Sequence, residues 1–478
     1  MAIVAGIDSS TTRTRIVACD ADTGAVLRQG RAPHPLPEGE DARSTEVDPQ
    51  SWLHSLGDAA AGGLLEGVRA IGVSAQQHGL IGLDAGGVLV RPALLWNDPR
   101  SAGAAAALLD ALGGPQPWAE AIGAVPGPTY TIAKLRWLAE FEPVSAQRIA
   151  EVLLPHDWLV SQLLGGPKRR TTDRGDASGT GYWSPVTGEY RQDLVKLALG
   201  HELKVPDVLG PAEPAGHTPE GLLISAGTGE NMAASLGLGL EIGDAVVSLG
   251  GNGTIFAVHD RAVVDPSGLV SSFADATGQH LPMVATLNAA QVLRSTAAML
   301  GTDLAGLSEL ALQSSPGAYG MVFLPYLDGE RTPKLPQAAG TLTGLRAESM
   351  APQHVARAAV EGMLCNLAEA VDVLRGHGVA VDRVVLLGAA GRLPAVQQIA
   401  PQVFARPVVV PPPGDHAARG AARQAAWALA GTAGPPRWEL PDLTLLAPDQ
   451  EHDLAVGTAV RQQFAAMREQ HHPETAAS

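Results

Sequence analysis

Short apolar runs of strand length alternate along this chain with longer stretches of helical period. The first run, AIVAGI at 2–7, stops at Asp8 and gives way to Ser9-Ser10-Thr11-Thr12 and a second strand, Arg15 to Cys19. Asp22-Thr23-Gly24 then turns the chain into a third strand beginning at Ala25. The same grammar returns past the middle: Ala245-Val246-Val247-Ser248-Leu249, a Gly250-Gly251-Asn252-Gly253 turn, and Thr254-Ile255-Phe256-Ala257-Val258. Just before it, Gly227-Thr228-Gly229 and Glu230 lead into a small-residue run, Met232 to Leu240, that reads as a helix. Two hairpins of one kind predict two related halves closing over one ligand.

Between the hairpins the pattern predicts a turn-rich segment at 33–49, a helix from Pro49 to about Glu66, and a strand from Val68 to Val73. A further hairpin runs from Leu80 to Val90, and helical repeats follow from Ala102 to about Ser161. Thr172 to Gly181 reads as a polar loop, and Val205 to His217 as a proline-rich linker. Beyond 258 the pattern gives helices at Leu287–Leu300, Leu304–Gln313, Pro352–Arg375, Pro394–Phe404 and Ala417–Ala430. Strands at Val322–Leu324, Val384–Leu387 and Pro407–Val410 separate them, and a tail helix spans about Asp453 to Gln470. Strands alternating with helices make this an α/β chain.

At 478 residues the chain exceeds one core, so two or three domains are expected. The composition, 45% hydrophobic and 17% charged, is that of a globular protein. A net charge of −16 leaves no basic excess for neutralising nucleic-acid or lipid phosphates, which argues against both as partners. The one basic run, Lys168-Arg169-Arg170, has Asp173 and Asp176 nearby and reads as a solvated loop. Cys19 and Cys365 sit in apolar segments and read as small buried hydrophobes. A strand entered by Ala2 leaves no room for a signal peptide, and no apolar run reaches membrane-spanning length. A soluble cytoplasmic protein is expected.

Glycine turns between strands let backbone N–H groups converge on an anion, although many such turns are plain hairpins. A carboxylate beside a phosphate cradle suits a base that takes the proton of a hydroxyl attacking phosphorus; an acidic residue after glycine equally suits a helix start. Neither hairpin carries the Gly-Lys-Ser/Thr run of a P-loop. Gln77 and His78 follow a strand at its carboxyl end, where α/β proteins contact ligands. Trp96, Asn97 and Asp98 pair an apolar plate with hydrogen-bonding groups, which fits a polyol, yet Asn-Asp-Pro also starts turns. Thr172 to Gly181 is either a surface turn or a substrate-side loop. Gly388 to Gly391, at a strand end, lets a flat ring approach the backbone.

The motifs Gly6-Ile7-Asp8-Ser9-Ser10-Thr11, Gln77-His78-Gly79 with Arg91 to Asp98, Asp176-Ala177-Ser178-Gly179-Thr180, Leu324-Pro325-Tyr326-Leu327 and Gly329-Glu330-Arg331-Thr332-Pro333 occur in order. Together they make the chain resemble the FGGY family of carbohydrate kinases, within the actin/hexokinase-type ATPase superfamily, from about residue 3 to 430. The resemblance implies two ribonuclease H-like domains closing over a central cleft: a sugar-binding and catalytic domain at 1–243, a nucleotide-binding domain at 244–440, and a tail at 441–478. It implies ATP-dependent phosphorylation of a ketopentose, D-xylulose above others, at its terminal hydroxyl. Glu230 matches the catalytic base, and Asp8 the residue that helps hold Mg²⁺ through water. Gln77, His78, Trp96, Asn97, Asp98 and Asn231 fall on the sugar side. Ser9, Ser10, Thr11, Thr12 and Arg15, with Gly250, Gly251, Asn252, Gly253 and Thr254, match the phosphate clamps; Gly388 and Ala389 match the adenosine turn. A homodimer is the assembly it suggests.

Two departures stand at the centre of that resemblance. The family base is Asp in a Gly-Asp-Asn run, where this chain has Glu230 between Gly229 and Asn231. The second hairpin of the family carries Thr-Ser, where this chain has Gly251-Asn252. A methylene displaces the carboxylate by roughly 1 Å, which can cost roughly 100-fold in rate. The alternative expectations are a weakened kinase fold that binds sugar or nucleotide, and a kinase for another sugar or a pentitol.

Overall fold

The computed structural model describes residues 2–35, 45–166, 169–448 and 451–477. Most of the turn-rich segment expected at 33–49, and Lys168 of the basic run, lie outside the described residues. The chain divides into two compact units, the first formed by 1–240, 260–281 and 414–439, the second by 241–259, 282–413 and 440–478.

In the first unit the apolar runs pair as a mixed sheet. Ile3–Ser9 runs antiparallel to Arg13–Asp20, which pairs with Val26–Pro33. On its other side Ile3–Ser9 runs parallel to Val68–Ala75, which pairs in turn with Leu223–Ser225 and, further along, with Thr228–Gly229. Val4, Ala5, Ile7 and Ile16 are wholly buried because helices cover both sheet faces. Trp52 and Leu56 of the Gln50–Ala59 helix pack with Ile7 and Val73 on one face. On the other, Val4, Val17 and Cys19 meet Ala418, Ala422 and Ala425 of the His416–Ala430 helix. Burying each valine or isoleucine contributes roughly 1.5–3 kcal/mol. The helix comes close enough only because Gly6 is a glycine: a Cβ there would lie 1.8 Å from the Ala418 carbonyl oxygen. Both cysteines are free and buried, as expected.

Four expectations are corrected here. The first helix ends at Ala59 rather than Glu66, because Gly62, Gly63 and Gly67 take φ of 72°, 76° and 71°, outside the helical region. The segment 205–217 is not a linker; it holds strands at Asp207–Leu209 and Pro214–His217 that pair within the unit. Thr172 to Gly181 is no surface turn: Asp173 is 3% and Asp176 0% exposed, around a short helix, Arg174–Ala177, whose first amides Asp173 caps. Arg170 is buried beside Ser161 and Glu151 rather than solvated.

The second unit repeats the hairpin. Gly243–Leu249 pairs antiparallel with Gly253–Ala257, Leu249 facing Gly253, and parallel with Val381–Leu387. His280–Thr286 extends one side, Val408–Val410 and Thr444–Leu446 the other. The Pro352–Gly376 helix buries Met363, Leu364 and Leu367 in this unit's core. Helices at Pro394–Phe404 and His452–His471 stand close to the expected bounds. Among the described residues, no helix is long and apolar enough to cross a membrane.

Candidate active site

Strand register assembles the chemistry of the first unit. Asp8 faces Ser74 across the parallel pair, and Ser74 faces Thr228 on the next strand. Three carboxyl strand ends therefore stand side by side. Glu230 comes one residue after the last of them, as the first residue of the Glu230–Leu238 helix. Asp8 is 2% exposed; its Oδ1 accepts from the Ser74 hydroxyl at 2.8 Å, and Arg15 Nη1 lies 3.5 Å from Oδ2. Burial lifts its carboxyl to about 6, against the pull of Ser74 and Arg15. Arg15 also pairs with Asp415 at 3.1 Å.

Glu230 is partly buried, and its carboxylate takes part in no hydrogen bond or ion pair among the described residues. Burial, then the charges of Asp8 and Asp176, raise its pKa to about 8, with Arg15 opposing. The neighbouring side chains are locked. Asn231 Nδ2 donates to Gln77 Oε1 at 2.9 Å, and Gly229 leaves room for the Gln77 side chain, which a Cβ there would approach to 2.7 Å. His78 holds a φ of 65°, a conformation few non-glycine residues adopt. Its Nδ1 is 2.7 Å from the Gly179 carbonyl, and its ring lies against Tyr130 and Phe273.

The other candidates of this unit divide. Trp96 Nε1 donates to Thr11 Oγ1 at 3.0 Å, tying the apolar plate to the first hairpin. Asn97 is exposed. Asp98 is buried with both oxygens engaged, Oδ1 by Arg100 Nε at 2.9 Å and Oδ2 by Arg100 Nη2 at 2.6 Å and the Thr45 amide at 3.1 Å, which pulls its pKa down despite burial. Ser9 is buried in the strand, Ser10 Oγ donates to the Arg13 carbonyl, and the Thr12 carbonyl accepts from the His34 amide.

Sequence reasoning missed what stands behind Glu230. Thr228 Oγ1 donates to Asp173 at 2.7 Å, and Gln424 binds both the amide and the carbonyl of Gly227. His156 Nδ1 lies 2.5 Å from Asp176 Oδ2, and its Nε2 3.2 Å from Asp157. Burial works against a charge on His156, but Asp157, Asp176 and Asp173 outweigh it and lift its pKa to about 9. The 2.5 Å contact is a proton's, since two ligands on one tetrahedral cation sit roughly 3.4 Å apart. Lys134, also buried, donates to the Thr129 carbonyl at 2.6 Å and so fixes the turn that presents Tyr130; burial pulls it down to about 7. The paired carboxylates at 173 and 176 were the one visible sign of this cluster.

In the second unit Gly250, Gly251 and Asn252 form an exposed turn. Among the described residues their N–H groups donate to no backbone acceptor. Gly253 is buried, with no room for a side chain: a Cβ would meet Thr286 Oγ1 at 2.4 Å. Thr254 is half-buried in the strand that follows. Gly388, at φ 96°, ends the neighbouring strand, and a Cβ on it would lie 2.6 Å from the Leu249 carbonyl. Ala389 follows it on an exposed turn.

Comparison with known proteins places this arrangement. Residues 3–246 match the model of the N-terminal domain of the FGGY family of carbohydrate kinases, and residues 245–429 that of the C-terminal domain. The chain is 42% identical over 441 residues to a xylulose kinase of Streptomyces coelicolor, covering 90% of this chain and 88% of the relative. It is 40% identical to a xylulose kinase of Streptomyces rubiginosus, covering 91% of each. The crystal structure of a xylulose kinase from Bifidobacterium adolescentis superposes with a TM-score of 0.88 at 37% identity, over 98% of this chain and 99% of that one.

Proposed function

The chain belongs to the FGGY family of carbohydrate kinases, with their two-domain hexokinase-like ATPase fold, and on that premise we propose that it phosphorylates D-xylulose from ATP. The observation that carries the residue assignment is Glu230: a carboxylate with no hydrogen bond or ion pair among the described residues, opening a helix two residues after Thr228, which shares a register row with Ser74 and Asp8. Glu230 takes the proton of the sugar's terminal hydroxyl as that oxygen attacks the γ-phosphorus and ADP leaves. A pKa near 8 makes a strong base, of which roughly a tenth is deprotonated at pH 7 before any cation binds. Gln77, Asn231 and His78 orient the sugar from rigid positions, with Trp96 as an apolar plate.

Two carboxylates with raised pKa values and one half-exposed arginine leave this end of the sheet short of positive charge. Mg²⁺ carried on the nucleotide phosphates fits that deficit, with Asp8 the residue that would hold it through water. When bound, it offsets charge on the transferring phosphoryl group. In the first unit Arg15 and the first-hairpin hydroxyls offer side-chain donors to phosphate; in the second, taken by itself, the Gly250–Thr254 turn offers backbone N–H groups and Gly388-Ala389 leaves the strand end open to a flat ring.

The test is coupled ADP release over a panel of pentuloses, pentitols and glycerol, with Glu230→Ala and Glu230→Asp in parallel. D-xylulose should give the highest kcat/KM, and Glu230→Ala should lower it by roughly 1,000-fold. Wild type no faster than Glu230→Ala on every sugar would leave a binding protein on a kinase fold; a faster Glu230→Asp would mark the natural residue as a weakened base.

A further inference from the structure

The Gly329-Glu330-Arg331-Thr332-Pro333 run was singled out in the sequence, and nothing above gives it a task. Glu330 is 2% exposed, and its carboxylate gathers five donors. Oε1 accepts from the amides of Leu287 at 2.6 Å, Arg331 at 2.7 Å and Thr332 at 3.4 Å. Oε2 accepts from Asn288 and Asn366 side chains, each at 3.1 Å. Thr332 Oγ1 binds the Ala285 carbonyl, and Asn288 Nδ2 also binds the Gly329 carbonyl. A buried carboxylate so satisfied fixes what it touches, and two of its five donors, Leu287 and Asn288, lie in the segment 285–288, which Thr332 also holds at Ala285.

That segment runs straight into the second hairpin. The Ala289 amide donates to the Gly251 carbonyl at 3.2 Å, and the Ala290 amide, first of the Ala290–Met299 helix, to the Gly250 carbonyl at 3.0 Å. In a trans peptide the C=O of one residue and the N–H of the next point in opposite directions. Holding the carbonyls of Gly250 and Gly251 inward therefore turns the N–H groups of Gly251 and Asn252 outward, where no backbone acceptor takes them among the described residues. Gly253 completes the clamp, wedged against Thr286, Leu367 and Ala289 with no room for a Cβ.

We propose that Glu330 is a positioning residue for the nucleotide phosphates, acting through Leu287–Ala290 to hold the amides of Gly251 and Asn252 outward. The proposal rests on the reading of the second hairpin as a phosphate clamp. It also accounts for a turn that lacks hydroxyls: the donors are main-chain, and their direction is set by a carboxylate far along the chain.

Hydrogen exchange on the full-length protein, with and without Mg·ADP, joined to steady-state kinetics, tests both levels. Wild type should show Mg·ADP protection at 250–253. Glu330→Gln, which keeps the shape and loses the charge, should speed exchange at 286–290 and 250–253 and raise KM for ATP about tenfold, the worth of a lost charged hydrogen bond. KM for D-xylulose should stay unchanged. Asn366→Ala removes one donor and leaves the carboxylate; it should show the same pattern at smaller size, and it decides the matter if Glu330→Gln fails to fold. Absence of Mg·ADP protection in wild type would sink the clamp reading, and this proposal with it. Protection in wild type with hairpin exchange and KM for ATP unmoved in both variants would overturn the proposal alone, as would equal losses toward ATP and sugar.

Discussion

The first and second hairpins share a plan and differ in what they offer. In each, an antiparallel pair lies beside a parallel third strand, with the turn at the carboxyl end of the first strand. The first ends on side chains: Asp8 against Ser74 and Arg15, Thr11 against Trp96, Ser10 against its own turn. The second ends on backbone, with Gly250, Gly251 and Asn252 exposed and the support moved inward to Glu330 and the start of the Ala290–Met299 helix. On the proposed reading of both turns as phosphate clamps, one strand grammar carries two solutions. A side-chain solution sets direction by rotamer and partner; a backbone solution needs a second element to set it.

The largest expected contrast comes from changing one residue in each turn. Asp8→Asn should lower kcat by roughly 100-fold or more, because the charge itself acts there. Asn252→Ala should change kcat/KM for ATP less than about threefold, since the main-chain N–H is kept. Comparable losses in the two variants, measured under the same ATP regime, would erase the distinction.

A smaller effect concerns stability. The Glu230 carboxyl titrates near 8 in the folded chain against an ordinary 4.5, so the folded state holds its proton more tightly than the unfolded one. The stability this gives is fully present below about 4.5 and is lost as pH rises through about 8. Glu230→Gln should therefore melt with wild type at pH 5 and a few degrees above it at pH 9, as followed by thermal unfolding. Asp8, raised to about 6, works in the same direction and survives in that variant. Coincident melting curves at pH 9 would show that Glu230 titrates normally.

Much of the fold was legible because its signals are local. Apolar runs of strand length beside glycine or hydroxyl turns gave both hairpins, and Pro394 at a helix start gave that helix to the residue. The overlong first helix was avoidable, as Gly62 and Gly63 stood in the sequence. The candidate site was legible where position alone marks a residue: Asp8 after a strand, Glu230 after a glycine turn. Its support was not. Ser74 reaches Asp8 only through sheet register, and His156 meets Asp176 by folding of the Pro155–Leu163 helix against a buried loop. Asp98 caps the turn that Asn-Asp-Pro had marked, through Arg100 two residues on; its bond to the Thr45 amide has no local signature. Glu330 drew notice as part of a motif, but its target at 287–290 is a tertiary fact.

The claim at the centre is that Glu230, with its raised pKa, is the base. The direct measurement is kcat/KM for D-xylulose against pH from 5.5 to 9.5 at saturating Mg·ATP, beside Glu230→Gln. Wild type should rise along a single acid limb to a plateau; the limb reads the sugar-free enzyme with Mg·ATP in place, and the bound cation should draw it below the value near 8 of the ligand-free chain. The residual rate of Glu230→Gln should lack that limb. A wild-type profile flat across the range, or a limb that persists in Glu230→Gln, would assign the proton to another group.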